Sequence, residues 1–113
     1  MSRRITNCQT RRKKLEFYIV DVFAETKYTG NQLAVFRNTH SLNEKKMQSI
    51  AREINFSETT FIDSDEMRHG GFDVKIFTPV AEIPFAGHPT LGTAFIIKEF
   101  VLRKNVEKIT LNL

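Results

Sequence analysis

The segment 91–102, LGTAFIIKEFVL, constrains the fold most, because it is apolar around almost the whole circumference of a helix. Lys98 and Glu99 are its charged residues. Pro89 precedes it, and proline is favoured in the first turn of a helix, where its missing N–H costs nothing. We therefore expect a helix over residues 89–103. A helix with so few polar positions has to be enclosed by other elements, which predicts a central helix with a curled sheet around it.

Five segments have the β-branched and aromatic composition, with partial alternation, that is typical of strands. They are residues 15–23, 32–36, 57–62, 72–77 and 106–113. The triplet Thr29-Gly30-Asn31 separates the first two segments, and Gly70-Gly71 separates the third from the fourth. Glycine and asparagine accept the positive φ angles that turns require. The sequence therefore predicts two antiparallel hairpins.

An outer helix is predicted over residues 41–54. Ser41 and Glu44 have the spacing of a capping box at a helix N-terminus, and Asn55 fits the other end as a cap. Apolar residues follow at helical spacing, namely Met47, Ile50, Ala51 and Ile54. With the hairpins, the two helices predict an α+β fold with a mainly antiparallel sheet.

The chain has 113 residues, 41% of them hydrophobic, which is enough for one domain. No stretch approaches the ~20 apolar residues of a membrane span, and no signal peptide opens the chain, so we expect a cytoplasmic protein with no membrane partner. Residues 1–14 carry six Arg and Lys and no acid, whereas the other 99 carry eleven basic and thirteen acidic side chains. A basic arm can bind nucleic acid or anionic lipid, but a solvated extension has the same composition. We expect 1–14 to be a disordered tail, 15–113 a single folded lobe, and nucleic acid not to be a partner.

Cysteine and histidine usage argues against a metal site. Cys8 is the single cysteine of the sequence, which excludes an internal disulfide framework and a Cys-rich zinc site. His40 and His69 lie in polar loops without matching ligands. We therefore expect no metal.

Two groups of residues could carry chemistry. Glu58 opens a predicted strand beside Phe56 and Phe61, where a carboxylate can serve as a proton shuttle, although a solvated surface acid has the same local sequence. Gly87 and His88 precede the apolar helix, whose opening N–H groups lack intrahelical partners and favour an anion. A simple tight turn explains Gly-His-Pro equally well. Both alternatives stay open on these residues alone.

Several segments together resemble the PhzF-like family of isomerases of phenazine biosynthesis. They are Asp21–Ala24, Gly30–Phe36, Ala51–Phe61, Ile76–Pro79 and Glu82–Ala94. The matches follow the order of the family from about residue 17 to residue 94. The resemblance implies the diaminopimelate-epimerase-like fold, in which each of two lobes wraps a sheet around a central helix.

The resemblance also implies roles for individual residues. Glu58 matches the catalytic general acid/base of the family, and His88 matches the active-site histidine. The implied substrate-binding residues are Asn31, Gly87, Pro89 and Thr90. The implied chemistry is a cofactor-independent proton shift on a small carboxylate-bearing metabolite. Related racemases have a cysteine where this sequence has Ala86, so the sequence excludes two-cysteine racemisation.

Family members are considerably longer than 113 residues, and the resemblance covers the first lobe. We therefore expect a truncated isomerase whose second lobe is absent, or a homodimer that supplies a substitute for it. The alternative functions are a non-catalytic lobe that binds a small carboxylate at a helix N-terminus, and an inactive fragment.

Overall fold

The computed structural model describes residues 6–9, 15–22, 31–84, 87–102 and 108–113. Its strands are β1 (Thr6–Gln9), β2 (Glu16–Val22), β3 (Asn31–Phe36), β4 (Glu58–Ile62), β5 (Phe72–Phe77), β6 (Glu82–Ile83) and β7 (Leu111–Asn112). Its helices are α1 (Glu44–Ile54) and α2 (Gly87–Ile96), and α2 continues into a π-helical segment, Ile97–Leu102. The described residues therefore form the α+β fold that the sequence predicts.

Within the described residues, the strands form one mixed sheet in the order β1-β2-β3-β4-β5-β6, with β7 paired to β5. The two predicted hairpins are confirmed, since β2 pairs antiparallel with β3 and β4 with β5. Between them, β3 and β4 run parallel, with Leu33 opposite Glu58. Parallel neighbours begin at the same end of a sheet, so the first residues of β3 and β4 lie close together.

Each face of the sheet packs against one helix. The α2 face buries a cluster of Tyr18, Val20, Leu33, Val35, Ile62, Phe72, Val74, Ile76, Ile96 and Ile97. The α1 face buries Leu15, Ala34, Phe36, Met47, Ala51, Phe61 and Phe77. Because successive strand residues point to opposite faces, β3 and β4 contribute to both clusters. These two strands are the centre of the fold.

The start of the outer helix differs from the prediction over residues 41–54. Helix α1 begins at Glu44, and its N-cap is Asn43, whose side chain accepts a hydrogen bond from the Lys46 amide at 2.8 Å. Ser41 instead belongs to a turn that the Leu42 N–H closes by donating to the Thr39 carbonyl. The predicted cap at Asn55 is confirmed, with φ at 60° and its N–H bonded to the Ala51 carbonyl.

The apolar helix also begins earlier than predicted. It starts at Gly87, so Pro89 is its third residue and not its first. Proline fits there because the N–H groups of the whole first turn have no intrahelical acceptor. The regular α-helix ends at Ile96, and the π-helical segment carries the chain on to Leu102. The predicted last residue, 103, lies outside the described residues.

The two ends of the chain differ in detail from the sequence prediction. Thr6–Gln9, inside the segment expected to be a disordered tail, form β1 and pair antiparallel with β2. The other residues of that segment lie outside the described part of the chain, as do 103–107. The last strand is Leu111–Asn112, shorter than the predicted 106–113. No helix in the described ranges combines the length and the hydropathy needed to cross a membrane.

Candidate active site at the start of α2

Glu58 is the first residue of β4 and lies on the face of the sheet that α2 covers. The alternation of the strand places Glu58, Thr60 and Ile62 on this face, where Ile62 belongs to the α2 cluster. Glu58 is partly buried, and its Oε2 atom is shielded from solvent. The glutamate therefore faces the interior between strand and helix, which favours the acid/base interpretation over a solvated surface residue.

The contacts between β4 and α2 indicate which turn of α2 lies nearest to Glu58. The hydroxyl of Thr60 is 2.8 Å from that of Thr93. Arg37, one residue beyond the Phe36–Phe61 pair of β3 and β4, reaches the Phe100 carbonyl at 3.5 Å. Strand β4 and the helix therefore run in the same direction. Two strand residues span about 6.8 Å, which equals roughly four to five helical residues. We infer that Glu58 is level with residues 88–89, in the opening turn of α2.

That opening turn is Gly87–Thr90. The N–H groups of its first three positions have no acceptor within the helix, and the helix dipole makes this end electropositive. Pro89 is buried and has no N–H, so the amide donors of these positions belong to Gly87 and His88. Thr90 is partly buried. The backbone therefore offers donors to an anion beside Glu58.

The remaining predicted site residues are positioned by their backbones. Asn31 opens β3, at the end of the sheet where Glu58 opens β4, because these strands are parallel and Leu33 is opposite Glu58. His88 belongs to the first turn of α2. The side chains of Asn31 and His88 lie outside the described part of the structure. The fold thus brings the backbones of the predicted residues to one end of the α2 face.

Sequence reasoning missed the pair Thr60 and Thr93. Both residues are completely buried, and their hydroxyls form the hydrogen bond between β4 and α2 described above. The signal in the sequence was a threonine at an inward position of an apolar strand, matched by a threonine in an apolar helix. Neither position could be paired with the other before the sheet order was known.

Sequence reasoning also missed the network around Arg37, at the other end of β3. Arg37 forms an ion pair with Asp65, donates to the Tyr18 hydroxyl at 3.0 Å, and reaches the Phe100 carbonyl at 3.5 Å. Burial alone would lower the pKa of Arg37, but the hydrogen bonds to Asp65 and Tyr18 raise it above its ordinary value. The network ties the π-helical segment to the sheet, far from Glu58.

A cavity of about 380 Å³ lies elsewhere, near Met47 and Phe61 of the α1 face. Its rim carries Asp63, Arg68 and Asp73, whereas Glu58 and Thr90 are not among its lining residues. Arg68 forms an ion pair with Asp63 at 3.0 Å, and the Asn112 amide donates to Asp73 at 3.0 Å. The Asp63 Oδ2 atom nevertheless accepts no hydrogen bond from the described residues. Among the described residues, no three His, Cys, Asp or Glu side chains are grouped to hold a metal ion.

The fold and the site define an α+β protein with a carboxylate and a helix N-terminus at one end of a sheet. Residues 20–112 match the sequence profile of the phenazine biosynthesis-like (PhzC-PhzF) family. The chain belongs to this family. The resemblance identified from the sequence is therefore confirmed.

Three relatives illustrate the similarity. An uncharacterized isomerase of Pasteurella multocida is 46% identical over 83 residues, covering 74% of this chain and 29% of its own. Trans-2,3-dihydro-3-hydroxyanthranilate isomerase of Pseudomonas aeruginosa is 44% identical over 81 residues, covering 72% and 29%. The crystal structure of a PhzC/PhzF phenazine biosynthesis protein from Clostridium difficile matches with a TM-score of 0.73 and 38% identity, covering 86% and 36%. The chain spans about a third of the length of these relatives.

Proposed function

We propose that this chain carries the proton-transfer site of a cofactor-independent isomerase, with Glu58 as the general acid/base. The proposal is supported by the position of Glu58 on the α2 face of β4, where its Oε2 is shielded from solvent, and by the inferred proximity of this face to the opening turn of α2. A carboxylate at that position can take a proton from a substrate carbon and return it to another. The neighbouring amides can hold the negative charge of the substrate while this happens.

The proposed substrate is a small cyclic diene that carries a carboxylate. The chemistry of the Pseudomonas aeruginosa relative, as its name states it, supplies this class, since it isomerises trans-2,3-dihydro-3-hydroxyanthranilate. The amides of Gly87 and His88 would bind the carboxylate, and Asn31 and Thr90 would line the same cleft. One carbon loses a proton, the double bond shifts, and the far carbon of the allylic unit gains a proton. The reaction has no net oxidation, so it needs no redox cofactor.

His88 is proposed as the second acid/base. It belongs to the first turn of α2, next to the backbone N–H groups proposed to hold the substrate. A neutral imidazole can both donate and accept a hydrogen bond, so it can pass a proton to or from the substrate near neutral pH. Glu58 and His88 would then serve the two carbons between which the proton moves.

Deuterium exchange tests the proposal. The chain is incubated with trans-2,3-dihydro-3-hydroxyanthranilate in deuterium oxide, and uptake of carbon-bound deuterium is followed by NMR. Glu58→Gln keeps the shape of the side chain but cannot accept the proton, so exchange should fall by at least roughly a hundredfold. Glu53→Gln, at an exposed position of α1, is the matched control and should exchange as the wild type does.

Two results would contradict the isomerase. Glu58→Gln could exchange deuterium as fast as Glu53→Gln, which would remove Glu58 from the reaction. Alternatively, the wild type could bind the compound without any exchange, which would support the carboxylate-binding lobe as the function of this chain.

A further inference from the structure

The hydrogen bond between Thr60 and Thr93 is a directional contact at a part of the interface where the neighbouring buried side chains are apolar. Both hydroxyls are completely buried and lie 2.8 Å apart. Around them, the contacts of α2 with the sheet come from apolar side chains, among them Leu33, Val35 and Ile96. Apolar packing is non-directional, so it leaves a helix that is apolar all round comparatively free to rotate or slide. A hydrogen bond with a preferred length and angle restricts both movements.

We propose that Thr60 and Thr93 are positioning residues that set the register of α2 on β4, and with it the distance between Glu58 and the amides of the opening turn. The inference rests on the proposed function, because it assigns a purpose to that distance. Thr60 is two residues from Glu58 on the same strand face, and Thr93 is one helical turn from Thr90. The hydrogen bond thus lies close to Glu58 along β4 and close to the opening turn along α2, so it links the two parts of the proposed site.

The geometry explains why an alternative apolar pair would serve less well. Two valines would fill a similar volume, and exchanging both partners of a buried hydrogen bond for apolar groups can be nearly neutral for stability. Such a pair would not select one register, however. A displacement of about 1 Å at a reacting centre can reduce the rate about a hundredfold, so register matters to the reaction far more than to folding.

The test compares Thr60→Val, Thr60→Ser and Thr59→Val. Thr59 is the matched control, since it is the neighbouring residue, is also completely buried, and faces away from α2. Deuterium exchange should show kcat lowered about ten- to a hundredfold in Thr60→Val, with KM changed less than about threefold because the donors for the carboxylate remain. Thr60→Ser keeps the hydroxyl and should restore kcat to within about threefold of the wild type. Thr59→Val should match the wild type.

A second measurement, by NMR, does not depend on turnover. The amide resonances of His88 and Thr90 should move in Thr60→Val and stay in place in Thr60→Ser and Thr59→Val. If they move while the wild type exchanges no deuterium, the proposed reaction fails and the positioning of α2 stands. The positioning proposal is overturned if these resonances are unchanged in Thr60→Val, or if its kcat equals that of Thr59→Val.

Discussion

Thr59 and Thr60 are neighbours in β4, both completely buried, but they meet opposite environments. The hydroxyl of Thr60 bonds to Thr93 of α2. The hydroxyl of Thr59 points to the α1 face and has no hydrogen-bond partner among the described residues. Strand β4 thus carries two adjacent buried hydroxyls, one with a hydrogen-bond partner and one without. Comparing variants of the two residues measures what the hydrogen bond contributes to the free energy of unfolding.

We expect Thr60→Val to lower the free energy of unfolding by about 1–3 kcal/mol, because it leaves the buried Thr93 hydroxyl without its partner. Thr59→Val should be neutral or stabilising by up to about 1 kcal/mol, since it removes a buried polar group that has no partner. The double variant Thr60→Val, Thr93→Val should recover part of the loss. Urea unfolding at neutral pH measures all three, and equal destabilisation by Thr59→Val and Thr60→Val would contradict the assignment.

The N-cap of α1 gives a second prediction. Asn43→Ala removes the side chain that accepts from the Lys46 amide and should cost about 1 kcal/mol. Ser41→Ala is the matched control, because Ser41 is exposed in the preceding turn, and it should change stability by less than about 0.5 kcal/mol. Thermal or urea unfolding distinguishes them. A larger loss of stability in Ser41→Ala than in Asn43→Ala would contradict Asn43 as the N-cap and support the capping box at Ser41 that the sequence predicted.

A third prediction concerns two ion pairs that differ in burial. The side chain of Arg37 is 13% exposed and binds Asp65, whereas that of Arg68 is 55% exposed and binds Asp63. Arg37→Met should cost about 2–3 kcal/mol, because it strips a partly buried carboxylate of a charged partner. Arg68→Met should cost at most about 1 kcal/mol. Similar losses of unfolding free energy in the two variants would show that burial does not distinguish the pairs.

The pair of Lys75 and Glu44 gives a pH dependence. The Lys75 Nζ and Glu44 Oε1 atoms are 2.6 Å apart. The hydrogen bond to Glu44 raises the pKa of Lys75 above its ordinary 10.5. A raised lysine pKa means that the folded state holds the proton more tightly, so the stabilisation is present below pH 10.5 and is lost as the pH rises through the folded-state pKa. Both side chains are largely exposed, so the contribution should not exceed about 1 kcal/mol.

Urea unfolding of the wild type and of Lys75→Met, from neutral pH to above 10.5, checks the direction of this pH dependence. The difference in unfolding free energy between the two proteins should be constant from neutral to mildly alkaline pH and should shrink above pH 10.5. Lys45→Met, at an exposed position of α1, provides the control for removing a surface charge. A difference that grows with pH would contradict the assignment.

The parts of the fold that depend on local pattern could be predicted from the sequence. The Thr29-Gly30-Asn31 triplet predicted the β2–β3 hairpin, and the apolar spacing from Met47 to Ile54 predicted α1. The apolar character of 91–102 required a helix enclosed by other elements. In each case the energy that decides the structure comes from neighbours in sequence or from the burial of one face.

The parts that depend on long-range contacts could not be predicted. Nothing local makes β3 pair with β4 in parallel, and this pairing brings Asn31 to the same end of the sheet as Glu58. The polar segment Thr6–Gln9 lacks an apolar face, and only its partner strand makes it β1. The choice of Asn43 over Ser41 as cap depends on the turn at Thr39. Local sequence already pointed to Glu58, Gly87 and His88, but their roles came from the family resemblance. The bond of Thr60 to Thr93 came from the fold.

An NMR titration of the chain with anthranilate, a stable aromatic carboxylate, tests whether Glu58 and the start of α2 form one site. The amide resonances of Gly87, His88 and Thr90 and the side-chain carboxyl resonance of Glu58 should shift together and give one Kd. Shifts confined to the rim of the α1-side cavity, at Asp63 and Arg68, with the opening turn of α2 unmoved, would contradict it.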